Sequence, residues 1–376
     1  MVHGCVPVPM ILFSTLRSTK PRILSNRLRL RRQLISRNSS ASSRRITIPP
    51  PVPVTPSCPE PTCPCAPTPE MPEGLEIDHE HGLNGTMAPY SQQVLILTGQ
   101  RDWRSRIEED GLEEGWGMLG RSLKGLVGRG GRYADPYNNI MITNASFQPH
   151  HSTRTGAATT ASALLFPSFR YIPKTPLDEA GLDAFVRGFL LPTTLHPAHD
   201  PLPASQKECM RRVPTLQHSF FPDMARIRHS PTILICGHGH RDQRCGIMGP
   251  LLQTEFRRVL RAKGFRVSGG KENGGGAFTD VAGWANVGLI SHIGGHKYAG
   301  NVIIYLPPSM SSTGSWEGGA VSLAGKGIWY GRVEPRHVEG IVQETVLEGR
   351  VISDHFRGGV GADDLHIVER MWAFGH

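Results

Sequence analysis

The chain has 376 residues, which is long enough for two domains, and 38% of them are hydrophobic. Its formal net charge is +9, yet residues 1–59 hold ten Lys and Arg and no acid, and removing those ten from the total of 41 leaves 31 basic against 32 acidic residues. The rest of the chain is therefore neutral, which argues against a nucleic-acid-binding protein, and no nucleic-acid partner is expected.

Residues 1–46 are predicted to be a disordered, basic targeting arm. The segment is rich in Arg, Ser and Leu and free of acids, which is the composition of a mitochondrial transit peptide. The alternative is a basic tail that binds anionic surfaces. Because the charge stops abruptly, import is favoured, with the mitochondrial import machinery as a partner and the matrix or intermembrane space as the destination. No apolar run approaches the roughly 20 residues of a membrane helix, so no integral membrane segment is predicted.

Residues 47–74 form a proline-rich stretch that predicts an extended linker. The stretch contains Cys58, Cys63 and Cys65. Three thiols on a flexible backbone make a poor metal cage, and exposed thiols that sometimes oxidise are the alternative. The chain has seven cysteines at irregular spacing, which disfavours a secreted disulfide framework.

The first half of the body, residues 75–200, is predicted to contain both strands and helices. Apolar runs predict strands over 93–99, 138–147 and 163–172. Asp102 is a candidate cap for a helix that follows it directly, and 175–192 has the acidic start and basic end of a helix.

The second half, residues 207–376, repeats the same order after a proline-rich boundary. Strands are predicted over Thr232–Cys236, 286–293, 301–307 and 328–333, and helices over 249–264 and 334–349. The sequence therefore predicts an α/β protein with two domains, each a mixed sheet with flanking helices. A thioredoxin-like fold fits this order, and ferredoxin-like α+β units would give a similar pattern.

Cysteines and histidines cluster where two of these strands end. Cys236 ends a strand, and Cys245 follows in "CGHGHRDQRC", whose positive neighbours favour the thiolate that binds metals. His292 and His296 stand in "SHIGGHKYAGN", where two glycines predict a loop rather than a helix. For any one of these residues alone, an ordinary side chain in the core or at a strand end is the favoured interpretation. Together the four favour a metal site, with His238 as the reserve candidate ligand.

Two thiolates and two imidazoles suit either Zn²⁺ or an iron–sulfur cluster. The spacing fits zinc fingers poorly, and a [2Fe–2S] cluster is wider than one ion, so its ligands can be more dispersed. Arg241 and Arg244 are candidates for favouring the reduced, more negative state of such a cluster or for guiding an acidic partner. The alternative for both is a surface salt bridge with Asp242 or another acid.

The motifs "CGHGHRDQRCG", "GLISHIGGHKYAGNVIIY" and "WYGRV" resemble the sucrase/ferredoxin-like family of thioredoxin-like [2Fe–2S] proteins. The resemblance implies a [2Fe–2S] cluster in a carboxyl-terminal thioredoxin-like domain. It also implies the ligands Cys236, Cys245, His292 and His296, and an amino-terminal thioredoxin-like domain that carries no redox cysteines. The function so implied is electron transfer or thiol redox homeostasis, with unknown redox partner proteins.

Two other functions remain open from the residues. A thiol oxidoreductase would cycle Cys236 and Cys245 as a disulfide, although thioredoxin-type enzymes use Cys-x-x-Cys. The second open function is that of a structural or interaction module that binds zinc. A hydrolase has no support, because the chain lacks a Gly-x-Ser-x-Gly elbow, so no catalytic residue is assigned.

Overall fold

The structure is a computed structural model, and it describes residues 52–150, 159–268, 276–310 and 323–361. The predicted targeting arm, residues 1–46, lies outside the described residues. Eleven of the described strands form one mixed sheet. They are β2 (Gln92–Leu97), β3 (Ile140–Ala145), β4 (Thr160–Phe166), β5 (Arg170–Pro176), β6 (Ala225–Arg226), β7 (Thr232–Cys236), β8 (Arg266–Ser268), β9 (Trp284–Ile290), β10 (Val302–Leu306), β11 (Lys326–Tyr330) and β13 (Phe356–Gly361). The strands β1 (Val54–Thr55) and β12 (Val351–Ile352) pair separately and in parallel.

Both halves of the sheet have the same strand order. The first half runs β3-β2-β4-β5, and the second runs β9-β7-β10-β11. In each half the first pair is parallel and the next two pairs are antiparallel. The halves join edge to edge where β3 pairs antiparallel with β9, at Ala145 and Ile290. The predicted α/β class with a mixed sheet is confirmed, and strands from both halves lie in one continuous sheet.

Six α-helices lie among the described residues. They are α1 (Gly115–Val127), α2 (Glu179–Phe185), α3 (Ala204–Cys209), α4 (Thr215–Phe220), α5 (Gln243–Ala262) and α6 (Val338–Ile341). Wider π-type turns extend α2 to Leu190 and α6 to Leu347. None of the helices in this described part of the chain is both long and apolar enough to cross a membrane.

Strand side chains alternate between the two faces of the sheet. In β7, Ile233 and Ile235 join the core that also contains the apolar sides of α1, α2, α5 and α6. Leu234 and Cys236 point to the opposite face, among aromatic residues such as Tyr305 and Trp329. This period of two is the normal consequence of strand geometry. It places the Cys236 side chain away from the main helix-covered core.

Three elements differ from the sequence prediction. The prediction of a helix directly after Asp102 is wrong, because only a short 3₁₀ turn forms at Ile107–Glu109 and α1 begins at Gly115. The single strand expected over 163–172 is two strands, β4 and β5, which meet at a turn after the cis peptide bond Phe166–Pro167. Helix α5 begins at Gln243, six residues before the predicted start at 249, because the Asp242 side chain accepts a hydrogen bond from the Arg244 N–H and caps it.

The proline-rich segment before the body lies against it. Val54 and Thr55 pair with Val351 and Ile352. The Thr62 backbone N–H donates to the Glu339 carboxylate at 2.9 Å, and the Cys58 thiol contacts the His337 carbonyl at 3.5 Å. From residue 52 onward this segment therefore forms specific contacts with the elements around α6.

Candidate metal centre

The four predicted ligands lie at the ends of two neighbouring strands. Cys236 is the last residue of β7, and Cys245 is in the first turn of α5 rather than in a loop. His292 follows β9, and His296 opens a 3₁₀ turn, His296–Tyr298. Because β7 and β9 are parallel neighbours, their carboxyl ends meet at one edge, where loops commonly form binding sites.

The two cysteines form a buried thiol pair. Cys236 is 1% exposed and Cys245 is fully buried, and neither is in a disulfide. A hydrogen bond from the Cys245 thiol lowers the pKa of Cys236 well below the usual thiol range, and the His292 imidazole and the His238 backbone N–H add to this effect. The same hydrogen bond and burial raise the pKa of Cys245. The lowered pKa favours the thiolate at Cys236, and the raised pKa favours the protonated thiol at Cys245.

The two histidines stand beside each other with unused ring nitrogens. The ring centroids of His292 and His296 are 5.2 Å apart. Each Nδ1 atom is buried, and neither has a hydrogen-bond partner among the described residues. Burial lowers the pKa of His296, although the Asp242 carboxylate opposes this. A buried, unpartnered imidazole nitrogen is costly unless it binds something, so the pair has the chemistry of a metal-binding site.

The described residues contain no group of three or more His, Cys, Asp or Glu side chains placed to hold a single metal ion. Instead, the four candidates stand as a cysteine pair and a histidine pair, linked by the contact between His292 and Cys236. The linker cysteines lie elsewhere: Cys63 contacts the Glu339 carboxylate and the Arg258 guanidinium.

His238, the reserve candidate, already uses both ring nitrogens. Its Nε2–H donates to the backbone carbonyls of Trp103 and Arg104 at 2.9 and 3.0 Å. Its Nδ1 accepts the His292 backbone N–H at 3.0 Å. These partners fix a neutral imidazole with its proton on Nε2. His238 is thus placed as the residue that fastens the His292 loop to the first half of the chain.

Helix α5 approaches β7 closely because glycines line the contact. A Cβ atom on Gly249 would lie 2.6 Å from Gly237 Cα and 2.8 Å from the Cys236 carbonyl oxygen. Backbone atoms cannot move aside as a flexible side chain can, so a larger residue would push α5 away. The absence of a side chain at Gly249 therefore sets the position of Cys245 relative to Cys236.

The charged residues of the connecting loop have separate roles. Arg244 pairs with Asp242 at 2.9 Å, both nearly buried, so the predicted salt bridge is confirmed for Arg244. Arg241 is exposed and donates to Ser105 Oγ at 3.3 Å. An open cleft of about 590 Å³ lies over this loop, lined by residues that include Leu75, Asp102 and Arg241.

Comparison with known proteins identifies the family. The sequence pattern of the sucrase/ferredoxin-like family matches residues 83–358. The chain belongs to this family. The match includes both strand-end loops, so the resemblance seen in the motifs is confirmed.

Full-length relatives carry a name that refers to mitochondria. The chain is 28% identical to altered inheritance of mitochondria protein 32 of Meyerozyma guilliermondii, over 81% of this chain and 94% of the relative. It is 30% identical to the protein of the same name from Debaryomyces hansenii, over 81% of this chain and 95% of the relative. Actin patches distal protein 1 of Saccharomyces cerevisiae is 30% identical over 34% of this chain and 33% of that protein. No solved structure matches the chain significantly.

Proposed function

We propose that the chain is a [2Fe–2S] protein that acts in electron transfer or thiol redox homeostasis, with Cys236, Cys245, His292 and His296 as ligands. The observation that carries the proposal is the meeting of a buried cysteine pair with two buried imidazole nitrogens that have no partner among the residues the structure describes. The arrangement as two pairs favours a two-iron cluster, in which each iron takes two protein ligands. A zinc ion instead needs its ligands gathered around one centre.

The chain's own residues prepare the site for such a group. The Cys245 thiol and the His292 imidazole lower the pKa of Cys236 and so favour the thiolate, which is the form that ligates iron. Burial lowers the pKa of His296, which favours the neutral imidazole that a metal requires. When bound, a [2Fe–2S] cluster accepts one electron, and its histidine ligands raise the potential above that of all-cysteine ferredoxins.

We further propose that each half is a thioredoxin-like domain. The shared order β3-β2-β4-β5 and β9-β7-β10-β11, with one parallel and two antiparallel pairings, supports this assignment. The first half has no cysteine between Cys65 and Cys209, so on this proposal it is a scaffold without a redox dithiol. The names of the full-length relatives and the basic arm support a mitochondrial location.

A thiol oxidoreductase is the second candidate, and one observation favours it. Cys236 and Cys245 are hydrogen-bonded to each other, and the pKa of Cys236 is lowered, as in a dithiol that forms a disulfide. Against it, both sulfurs are almost fully buried, so a substrate disulfide has no direct access to them in this conformation. The Nδ1 atoms of His292 and His296, which have no partner in the described part of the chain, also have no role in a simple dithiol enzyme.

An anaerobic visible spectrum of the purified full-length protein, with iron and sulfide analysis, tests the proposal. We expect charge-transfer bands and about two irons per chain, both lost in a Cys236→Ala, Cys245→Ala double variant. The matched control is a Cys58→Ala, Cys63→Ala double variant, which removes two linker thiols and should keep the bands.

The other outcomes separate the alternatives. A colourless protein that contains zinc would replace the cluster with a structural zinc module. A colourless, metal-free protein with a reversible disulfide between Cys236 and Cys245 would establish the thiol oxidoreductase instead. EPR spectra of His292→Cys and His296→Cys variants would then test the histidine ligation of any cluster that is found.

A further inference from the structure

A buried arginine lies beside the candidate metal centre. Arg357, in β13, is 1% exposed. Its guanidinium donates to Asn301 Oδ1 at 2.7 Å and to the Gly294 carbonyl at 3.3 Å. It also donates to the Thr86 carbonyl at 2.8 Å and to Thr86 Oγ1 at 2.9 Å. Gly294 belongs to the turn between His292 and His296, so Arg357 is tied directly to the loop that carries both imidazoles.

The charge of Arg357 has no carboxylate partner among the described residues. All four of its hydrogen-bond acceptors are neutral oxygens, and its guanidinium lies over the rings of Tyr298 and Trp329, 5.4 and 5.7 Å from their centroids. Arg332 lies over the same Tyr298 ring at 5.2 Å, but Asp78 pairs with it at 3.6 Å. A buried charge is costly unless an opposite charge compensates it, and Arg357 is bonded to the turn that carries two of the four candidate ligands, where a negatively charged centre would compensate it.

The turn is shaped around this side chain. Gly295 has a left-handed φ of 69°, and a Cβ atom there would lie 2.4 Å from one Arg357 nitrogen. Burial lowers the pKa of Arg357 to about 10, whereas Tyr298 and the two cysteines raise it. The guanidinium therefore stays protonated at neutral pH, and its charge is fixed.

We propose that Arg357 is a positioning residue of the centre, which holds the Gly294–Gly295 turn between His292 and His296 and places a fixed, buried positive charge beside it. The effect of Arg357 on the redox potential rests on the proposed function, because it requires a bound cluster. One-electron reduction by dithionite adds one negative charge to the centre, and a nearby buried cation stabilises that charge. Arg357 should therefore raise the midpoint potential.

Three full-length variants test this role. Arg357→Met removes the charge at similar length, and Arg357→Lys keeps it. Arg332→Met is the matched control, because it removes an arginine over the same ring whose charge Asp78 already compensates. The midpoint potential is measured anaerobically by dithionite titration of the visible bands, with circular dichroism as the check on folding.

We expect the ratio of reduced to oxidised centre at a fixed potential to fall about tenfold in Arg357→Met, which is a shift of about 59 mV for one electron. Arg357→Lys and Arg332→Met should stay close to the wild type. A Met variant that folds and keeps the wild-type potential would overturn the proposal. If Arg357→Met does not fold, Thr86→Asp provides the second test, since it leaves Arg357 in place and brings a carboxylate to its Nε. An unchanged potential in that variant would equally overturn the proposal.

A metal-free readout separates this inference from the proposed function. In protein stripped of metal, amide hydrogen exchange of the turn between His292 and Tyr298 is measured by mass spectrometry. Arg357→Met should exchange severalfold faster there than the wild type and Arg332→Met, because the turn loses the hydrogen bond from the guanidinium to the Gly294 carbonyl. Faster exchange in a protein that never holds iron would retain the positioning role of Arg357 and reject only the cluster. Equal exchange in Arg357→Met and the wild type would reject the role.

Discussion

His238 shows how one side chain can organise the centre without binding a metal. Its imidazole spans from the Trp103 and Arg104 carbonyls to the His292 N–H. Each of these backbone groups would lose this hydrogen bond if the ring were removed, and the bond to the Trp103 carbonyl is fully buried. The first half thus contributes no ligand to the centre. It contributes the Trp103 and Arg104 carbonyls, which fix the orientation of the His238 ring.

Replacing His238 with Phe tests this role. The ring volume is kept, but the His292 N–H and the two carbonyls lose their partner, which should lower the free energy of unfolding by about 2–3 kcal/mol. His240→Phe is the control: His240 is largely exposed and bonds only Asp102 in its side-chain contacts, so its loss should cost less than about 1 kcal/mol. Urea denaturation followed by fluorescence measures both, and equal losses would show that the His238 bridge contributes little.

At the scale of elements, the close contact of α5 with the end of β7 depends on Gly249. A methyl group there would meet the Gly237 and Cys236 backbone at under 3 Å. The strain cannot be relieved by a rotamer change, so the helix must shift, and Cys245 shifts with it. The contact therefore couples the stability of the protein to the geometry of its thiol pair.

Gly249→Ala should destabilise the protein by about 1–3 kcal/mol through this overpacking. The control is Gly120→Ala in α1, where the added methyl group meets only Ile96 Cδ1 at 3.4 Å. There the better helix propensity of alanine should raise stability by up to about 1 kcal/mol. Thermal unfolding followed by circular dichroism gives the signs, and a stabilised Gly249→Ala variant would contradict the packing described here.

The region around α6 should respond to pH. Burial lowers the pKa of His337 to about 3, and its Nδ1 accepts the Glu334 N–H at 3.1 Å, which requires an unprotonated nitrogen. Between pH 6.5 and 3 the unfolded chain therefore binds a proton here that the folded chain does not, so stability must fall as pH falls.

His337→Asn should remove part of this dependence. Between pH 7 and pH 5 the wild type should lose about 1 kcal/mol more unfolding free energy than the variant, after allowance for partial exposure of the ring. Denaturation curves at the two pH values measure the difference. His81→Asn, which replaces an exposed histidine that pairs with Asp78, is the control. A parallel loss in wild type and His337→Asn would place the titrating group elsewhere.

At the scale of the whole molecule, local patterns predicted most of the longer strands of both halves and the clustering of Cys236 and His292 at strand ends, because buried strands are strong apolar runs. They failed where glycine is abundant. Helix α1 contains four glycines, and β13 reads Phe-Arg-Gly-Gly-Val-Gly, so neither has the propensity of its final state. Because β13 was not predicted from the sequence, the buried position of Arg357 was not predicted either. The His238 bridge was missed because its partners are distant in sequence.

The seam between β3 and β9 has a consequence for solubility. On β9, Trp284–Asn286 pair with β8, and the Leu289 carbonyl and Ser291 N–H are bonded by Ser146 and Asn144 of the first half. Residues 207–376 expressed alone would leave Leu289 and Ile290 as an open apolar edge, which is a template for intermolecular strand pairing. Light scattering should show that this fragment self-associates while the full chain does not; a monodisperse fragment would contradict this. On this prediction the first half covers the apolar edge of β9 and so prevents aggregation of the second half.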